Sequence, residues 1–131
     1  MDGDKIPEYV ANSWNAKNPM LIWKFKGKKA SQGMSKHVVS ESGNGHGQGF
    51  GDINGNGHED IVFMQGWYER PAKNALGQTW KWHKEFTLPH ASCPILVEDL
   101  NGDGLPEIVL AGANRIYMNR GGMNFGSRQM I

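Results

Sequence analysis

The chain is short of the features that mark several large protein classes. It has one cysteine, Cys93, so no internal disulfide can form, and a small core residue is the expected role for that thiol. It lacks an excess of charge: Lys and Arg number 14 against 13 Asp and Glu, a net charge of +1, which implies neither nucleic acid nor an anionic membrane as a partner. The longest basic run, Lys24–Lys29, reads as a strand end followed by a solvated turn. No stretch reaches the ~20 apolar residues of a membrane helix, and Met1-Asp2-Gly3-Asp4 is not a signal sequence. No segment keeps a 3.6-residue apolar period over a helix-sized length. The glycines at 43, 45, 47, 49 and 51 alternate strictly, so they form no dinucleotide-binding GxGxxG, and no Walker lysine follows them. No Ser-His-Asp arrangement or nucleophile elbow is defensible, and carboxylates outside the acidic loops are few, so catalysis is not supported.

What is abundant is glycine, 18 of 131 residues, with five tryptophans and short apolar runs between turns. That pattern predicts an all-β chain with many tight turns. Strands are expected over 9–14, 20–25, 35–40, 48–52, 60–65, 67–69, 79–86, 94–98, 107–111, 115–119 and 125–130. Trp80 and Trp82 alternate with Lys81 and His83 on one of these, and packing is the expected role of the tryptophans.

An acidic loop organises the array. From Asp99 to Glu107, oxygen-bearing side chains stand at the first (Asp99), third (Asn101), fifth (Asp103) and ninth (Glu107) places, glycine (Gly104) at the sixth and Leu105 at the seventh. Such oxygens, with the seventh residue's main-chain carbonyl, suit a hard cation such as Ca²⁺, which takes roughly 6–8 oxygen ligands. Glycine at the sixth place permits positive φ. Asp52, Asn54, Asn56 and Asp60 repeat the spacing, with Gly57 sixth and His58 seventh. Asp2, Asp4, Ile6 and Glu8 match the third, fifth, seventh and ninth places of another copy, in which Lys5 stands where the others have glycine and the first ligand would precede Met1. The copies recur about every 50 residues, which marks a repeat architecture. An EF-hand is excluded because its twelfth-place carboxylate is replaced by Phe63 and Leu110. The third loop has three ligand carboxylates and the second two, so the third is expected to bind Ca²⁺ more tightly.

The segments GFGDINGNGHEDIV (Gly49–Val62) and VEDLNGDGLPEIVLAG (Val97–Gly112) resemble FG-GAP repeats, also called VCBS-type repeats, and DGDKIPEYV (Asp2–Val10) resembles the same motif and its form in rhamnogalacturonan lyase propellers. The family includes integrin α-subunit heads, fungal lectins and secreted bacterial proteins. The resemblance implies a β-propeller made of four-stranded antiparallel blades, here about three (approximately 1–42, 43–89 and 90–131) in a single array. Three blades do not close a ring, so the chain is expected to be part of a longer propeller or to close by homo-oligomerisation.

The implied role is a calcium-binding module that binds carbohydrate or protein in an extracellular or periplasmic setting. The alternatives are a propeller part of a polysaccharide-degrading, lyase-like enzyme and a structural or self-assembly module. The candidate ligand-binding residues lie in connections at the end of the blades opposite the acidic loops: His46, Trp67, Tyr68, Glu69, His90, Asn114 and Arg115, with Trp14 and Asn15 on the same rim. Tryptophan faces pack on sugars while amide, carboxylate and guanidinium groups bind hydroxyls.

Overall fold

The computed structural model describes residues 1–88, 94–110, 115–121 and 125–129. Among these, the regular elements are strands apart from a single 3₁₀ turn at Ala30–Gln32. They form three small antiparallel sheets in which each strand pairs with its neighbour in sequence. The first contains β1 (Glu8–Ala11), β2 (Met20–Phe25) and β3 (Met34–Ser40). The second contains β4 (Gly49–Gly51), β5 (Asp60–Phe63), β6 (Gly66–Glu69) and β7 (Lys81–His83). The third contains β8 (Ile95–Glu98), β9 (Glu107–Leu110), β10 (Arg115–Asn119) and β11 (Phe125–Gln129). The expected all-β class is therefore observed. Two compact units result: residues 1–45 with 71–80, and residues 46–70 with 81–131.

In the first unit, β2 buries Met20, Ile22 and Lys24 on one face and leaves the intervening residues half-buried, the period of a strand with one covered side. Several strands are shorter than expected, most of all those at 9–14 and 79–86. Beyond Ala11 the chain turns: the Ser13 hydroxyl accepts the Asn15 N–H at 3.1 Å and the Asn15 carbonyl accepts the Asn18 N–H at 3.0 Å. The strand expected at 79–86 is confined to Lys81–His83 because Trp80 is committed elsewhere. Its backbone N–H donates to the Val39 carbonyl at 2.9 Å and its indole N–H to the Ala75 carbonyl at 2.8 Å, which fixes the 71–80 segment against β3.

The second unit holds the larger core. β5 and β9 are buried along their whole length, so both read as continuous apolar runs rather than as alternations. Val62, Trp67, Ile95, Ile108 and Tyr117 meet in one cluster with Ile53 and Leu88. Fully burying one such side chain stabilises by roughly 1.5–3 kcal/mol, a sizeable share of the net stability of a small domain. β4 lies directly against β8. A Cβ on Gly49 would stand 2.5 Å from the Ile95 carbonyl oxygen, and one on Gly51 2.6 Å from Val97 Cγ1. Only glycine fits this approach, which explains two of the five alternating glycines.

Candidate metal centres in three acidic loops

The three loops share one backbone course. Positive φ recurs at the fourth and sixth places: Gly3 and Lys5 (84° and 66°), Gly55 and Gly57 (73° and 84°), Gly102 and Gly104 (78° and 84°). The expected strain at Lys5 is thus present, and the fourth-place glycine is a second requirement that spacing alone did not reveal. In each loop the third-place oxygen accepts the N–H of the fifth residue and the fifth-place oxygen that of the seventh. These distances are 3.3 and 2.9 Å at Asp2 and Asp4, 3.1 and 2.8 Å at Asn54 and Asn56, and 2.8 and 2.9 Å at Asn101 and Asp103. The first-place carboxylates grip the turn. Asp52 accepts from Asn56 (2.9 Å) and Gly57 (2.7 Å), and Asp99 from Gly102 (2.8 Å) and Gly104 (2.9 Å). The Gly104 N–H bond, helped by the other amides of the turn, holds the Asp99 carboxyl below the usual carboxylate range.

The ninth-place carboxylates are different in kind. Asp60 and Glu107 are fully buried. Asp60 accepts the Ile53 N–H at 3.2 Å and the Arg70 N–H at 2.8 Å; Glu107 accepts the Leu100 N–H at 3.0 Å and the Asn119 N–H at 3.4 Å. Each therefore ties the second residue of its loop to a neighbouring stretch of its sheet. Burial pushes the Asp60 carboxyl up to about 7, against the pull of its two N–H donors and with the negative charges of Asp52 and Glu69 adding to the rise. Among the described residues, no cationic side chain forms an ion pair with Asp60 or Glu107. A buried carboxylate without a cation is costly. The oxygen-bearing residues of the second loop are Asp52, Asn54, Asn56 and Asp60, with His58 at the seventh place, and those of the third are Asp99, Asn101, Asp103 and Glu107, with Leu105 at the seventh; the three carboxylates of the third loop are not drawn within 4.8 Å of one another.

The first loop differs, and Lys24 is the reason. Lys24, expected at the strand end of the basic run, is buried, because strand alternation puts it on the face of Met20 and Ile22. Its ammonium bonds to Asp2 Oδ2 and stands 2.6 Å from Asp4 Oδ2 and 3.7 Å from Glu8 Oε1. Burial alone would raise the Asp2 carboxyl; the Lys24 hydrogen bond and charge outweigh it and hold Asp2 at about 2. Asp2, Asp4 and Glu8 have oxygens within 4.8 Å of one another, a convergence found at no other trio of His, Cys, Asp or Glu among the described residues. The residue across the sheet from the ninth place sets this contrast. Glu8 pairs with Lys24; one step beyond the Ile61–Tyr68 pair, Asp60 faces Glu69; one step beyond Ile108–Tyr117, Glu107 faces Met118.

The aromatic rim expected around Trp67 is corrected by burial. Trp67 is 2% exposed and Tyr68 7%. The Trp67 ring stacks on His83 with centroids 4.2 Å apart and donates its indole N–H to Glu85 at 2.9 Å. Tyr68 meets Phe63 edge-on at 6.0 Å and Trp82 at 4.6 Å. These rings are core, since β6 continues from β5 with both faces covered. Glu69 is half-buried, with its carboxylate 2.7 Å from His83 Nε2 and 3.4 Å from Asn54 Nδ2. Arg115 is half-buried at the start of β10, and His46 is exposed just before β4. His90, Asn114 and Cys93 lie outside the described residues. The aromatic side chains most open to solvent are Trp14, 74% exposed, and Tyr9, 66% exposed, with Phe50 following at 36%. Sequence reasoning missed the Glu69–His83–Glu85 bridge, whose histidine is legible only as a residue alternating with Trp82. Compared with protein-family models, with curated proteins and with solved structures, the chain has no match.

Proposed function

We propose that this chain is a calcium-stabilised β-propeller module whose second and third loops hold Ca²⁺ and whose exposed surface binds a carbohydrate or protein ligand outside the cytoplasm. The observation that carries this reading is the pair of fully buried carboxylates, Asp60 and Glu107, each at the ninth place of an oxygen-rich loop and without a cationic partner among the described residues. Bound Ca²⁺ would neutralise the clustered carboxylates and tie the two strands flanking each loop together. The mix of carboxylate, amide and carbonyl oxygens suits Ca²⁺ better than Mg²⁺, which demands stricter octahedral geometry. The four-stranded antiparallel sheets, and the close approach of β4 to β8, support the reading of the sheets as blades.

On this reading the ligand surface is the turn at Trp14. Its indole is the most exposed large aromatic ring, and Asn15 and Asn18 stand in the same turn, giving an apolar face beside amide groups.

Thermal unfolding in Ca²⁺ and in EDTA tests the metal part. At 100-fold excess over Kd, each occupied site adds about 2.7 kcal/mol, which for a domain of this size raises Tm by roughly 10 °C. An unchanged Tm together with no binding heat would refute it. For the ligand part, Trp14→Ala is expected to abolish binding to glycans or to a protein partner while keeping the wild-type Tm. Trp67→Ala is expected to cost about 3–5 kcal/mol of stability through loss of core packing. Binding that survives Trp14→Ala would remove the turn from the site.

A further inference from the structure

We propose that the Lys24 ammonium is the resident cation of the first acidic loop, so that this loop takes no Ca²⁺ and metal binding is confined to the second and third. The inference rests on the calcium reading for those two loops and departs from it at the first.

Three observations carry it. The trio Asp2, Asp4 and Glu8 is the one place among the described residues where three carboxylates converge, and the lysine nitrogen reaches all three. A metal ion entering the loop would need the same oxygens, so ammonium and metal exclude one another. Next, the lysine is held there by the fold. β2 aligns it with the buried Met20 and Ile22, so its charge is presented at high effective concentration with no association step. Finally, the corresponding cross-strand positions of the other sheets carry Glu69 and Met118, neither of which can supply a positive charge. In the first sheet two cations reach the ninth-place carboxylate, the Met1 amino group at 2.7 Å from Glu8 Oε2 and the Lys24 ammonium at 3.7 Å from Glu8 Oε1, and Lys24 is the one that also bonds Asp2 and Asp4; among the described residues no cationic side chain pairs with Asp60 or Glu107. The first loop also departs at its sixth place, where Lys5 holds a positive φ that glycine holds elsewhere.

The experiment is calorimetric Ca²⁺ titration with parallel thermal unfolding in EDTA and in Ca²⁺, on the full chain. The variants are Asp52→Asn, Asp99→Asn, Asp2→Asn/Asp4→Asn, and Lys24→Met. Asp52→Asn and Asp99→Asn are each expected to lose one bound ion. Asp2→Asn/Asp4→Asn is expected to keep the wild-type stoichiometry while its Tm in EDTA falls. Lys24→Met is expected to lower Tm in EDTA, to recover in Ca²⁺ and to bind one ion more than wild type. Loss of an ion in Asp2→Asn/Asp4→Asn would overturn the proposal, as would an unchanged stoichiometry in a folded Lys24→Met. If Lys24→Met fails to fold, the stoichiometry of the aspartate variant decides. Wild type that binds no Ca²⁺ at all defeats the calcium reading. In that case a double-mutant cycle between Lys24→Gln and Asp4→Asn in EDTA reads the ammonium separately, and an absent coupling would overturn its role in the loop.

Discussion

Replacing Asp60 with asparagine isolates the charge that the second loop buries. The Asp60 side chain is shielded from solvent, and its carboxyl stands at about 7 against an ordinary value of 3.8, first because of burial and then because of Asp52 and Glu69. The folded value lies above the unfolded one, so the native state holds an extra proton between about pH 4 and pH 7. Metal-free stability therefore falls as pH rises across that window, and the full penalty is present above pH 7. At about 1.36 kcal/mol per pKa unit the penalty is at most ~4 kcal/mol. Water at the exposed mouth of the loop screens the neighbouring carboxylates, which brings the expected size to roughly 2 kcal/mol. Asp60→Asn removes this dependence. It also turns an amide N–H₂ toward one of the two backbone donors, Ile53 N–H or Arg70 N–H, a pH-independent cost of about 1–3 kcal/mol. Urea unfolding of both proteins in EDTA at pH 5, 6, 7 and 8 is the assay, because other titrating groups cancel in the difference. The advantage of wild type over Asp60→Asn should shrink by about 1 kcal/mol from pH 5 to pH 8, because part of the window lies below pH 5. On the proposal that the second loop holds Ca²⁺ through the ionised carboxylate, the wild-type decline should vanish in saturating Ca²⁺. Parallel stability curves in EDTA would refute the reasoning.

Two further substitutions test the backbone. Gly49→Ala would bring a methyl group within 2.5 Å of the Ile95 carbonyl oxygen, so it should lower stability by about 1–3 kcal/mol as β4 and β8 are forced apart; an unchanged urea midpoint would show that the two strands do not meet this closely. Lys5→Gly should raise stability by up to about 1 kcal/mol, since Lys5 holds φ 66° at a place where glycine is unstrained, and a fall in Tm would refute the claim of strain.

The strands were legible because burial imposes a simple pattern. β2 and β10 occupy the expected residues, and β5 and β9 announce themselves as apolar runs that leave an acidic loop. The loops were legible because alternate oxygens and a sixth-place glycine encode their turn. The rim was not. Trp67 and Tyr68 fall where the second strand of a blade passes to the third, a position that suits either a rim or packing, and both rings are buried. Trp80 was read as part of a strand through its alternation with Trp82, but its two hydrogen bonds to Val39 and Ala75 are long-range or loop contacts that period-2 reasoning cannot see.

Lys24 shows what kind of information was absent. Its placement on a buried strand face was available, since Met20, Ile22 and Lys24 alternate, but the run of lysines after it argued for solvent. What no reading of spacing supplies is the antiparallel register. Lys24, Glu69 and Met118 stand at different sequence distances from Glu8, Asp60 and Glu107, because the turns that follow those carboxylates differ in length. Only pairing brings each to the same place across the sheet. Repeat comparison aligns the loops themselves and makes three copies look equivalent. The register then separates them by one side chain: an ammonium in the first, a further carboxylate in the second, a thioether in the third. The strength of cation binding in such a loop depends on the charge that already faces it, so equal loop motifs on this backbone do not imply equal metal sites.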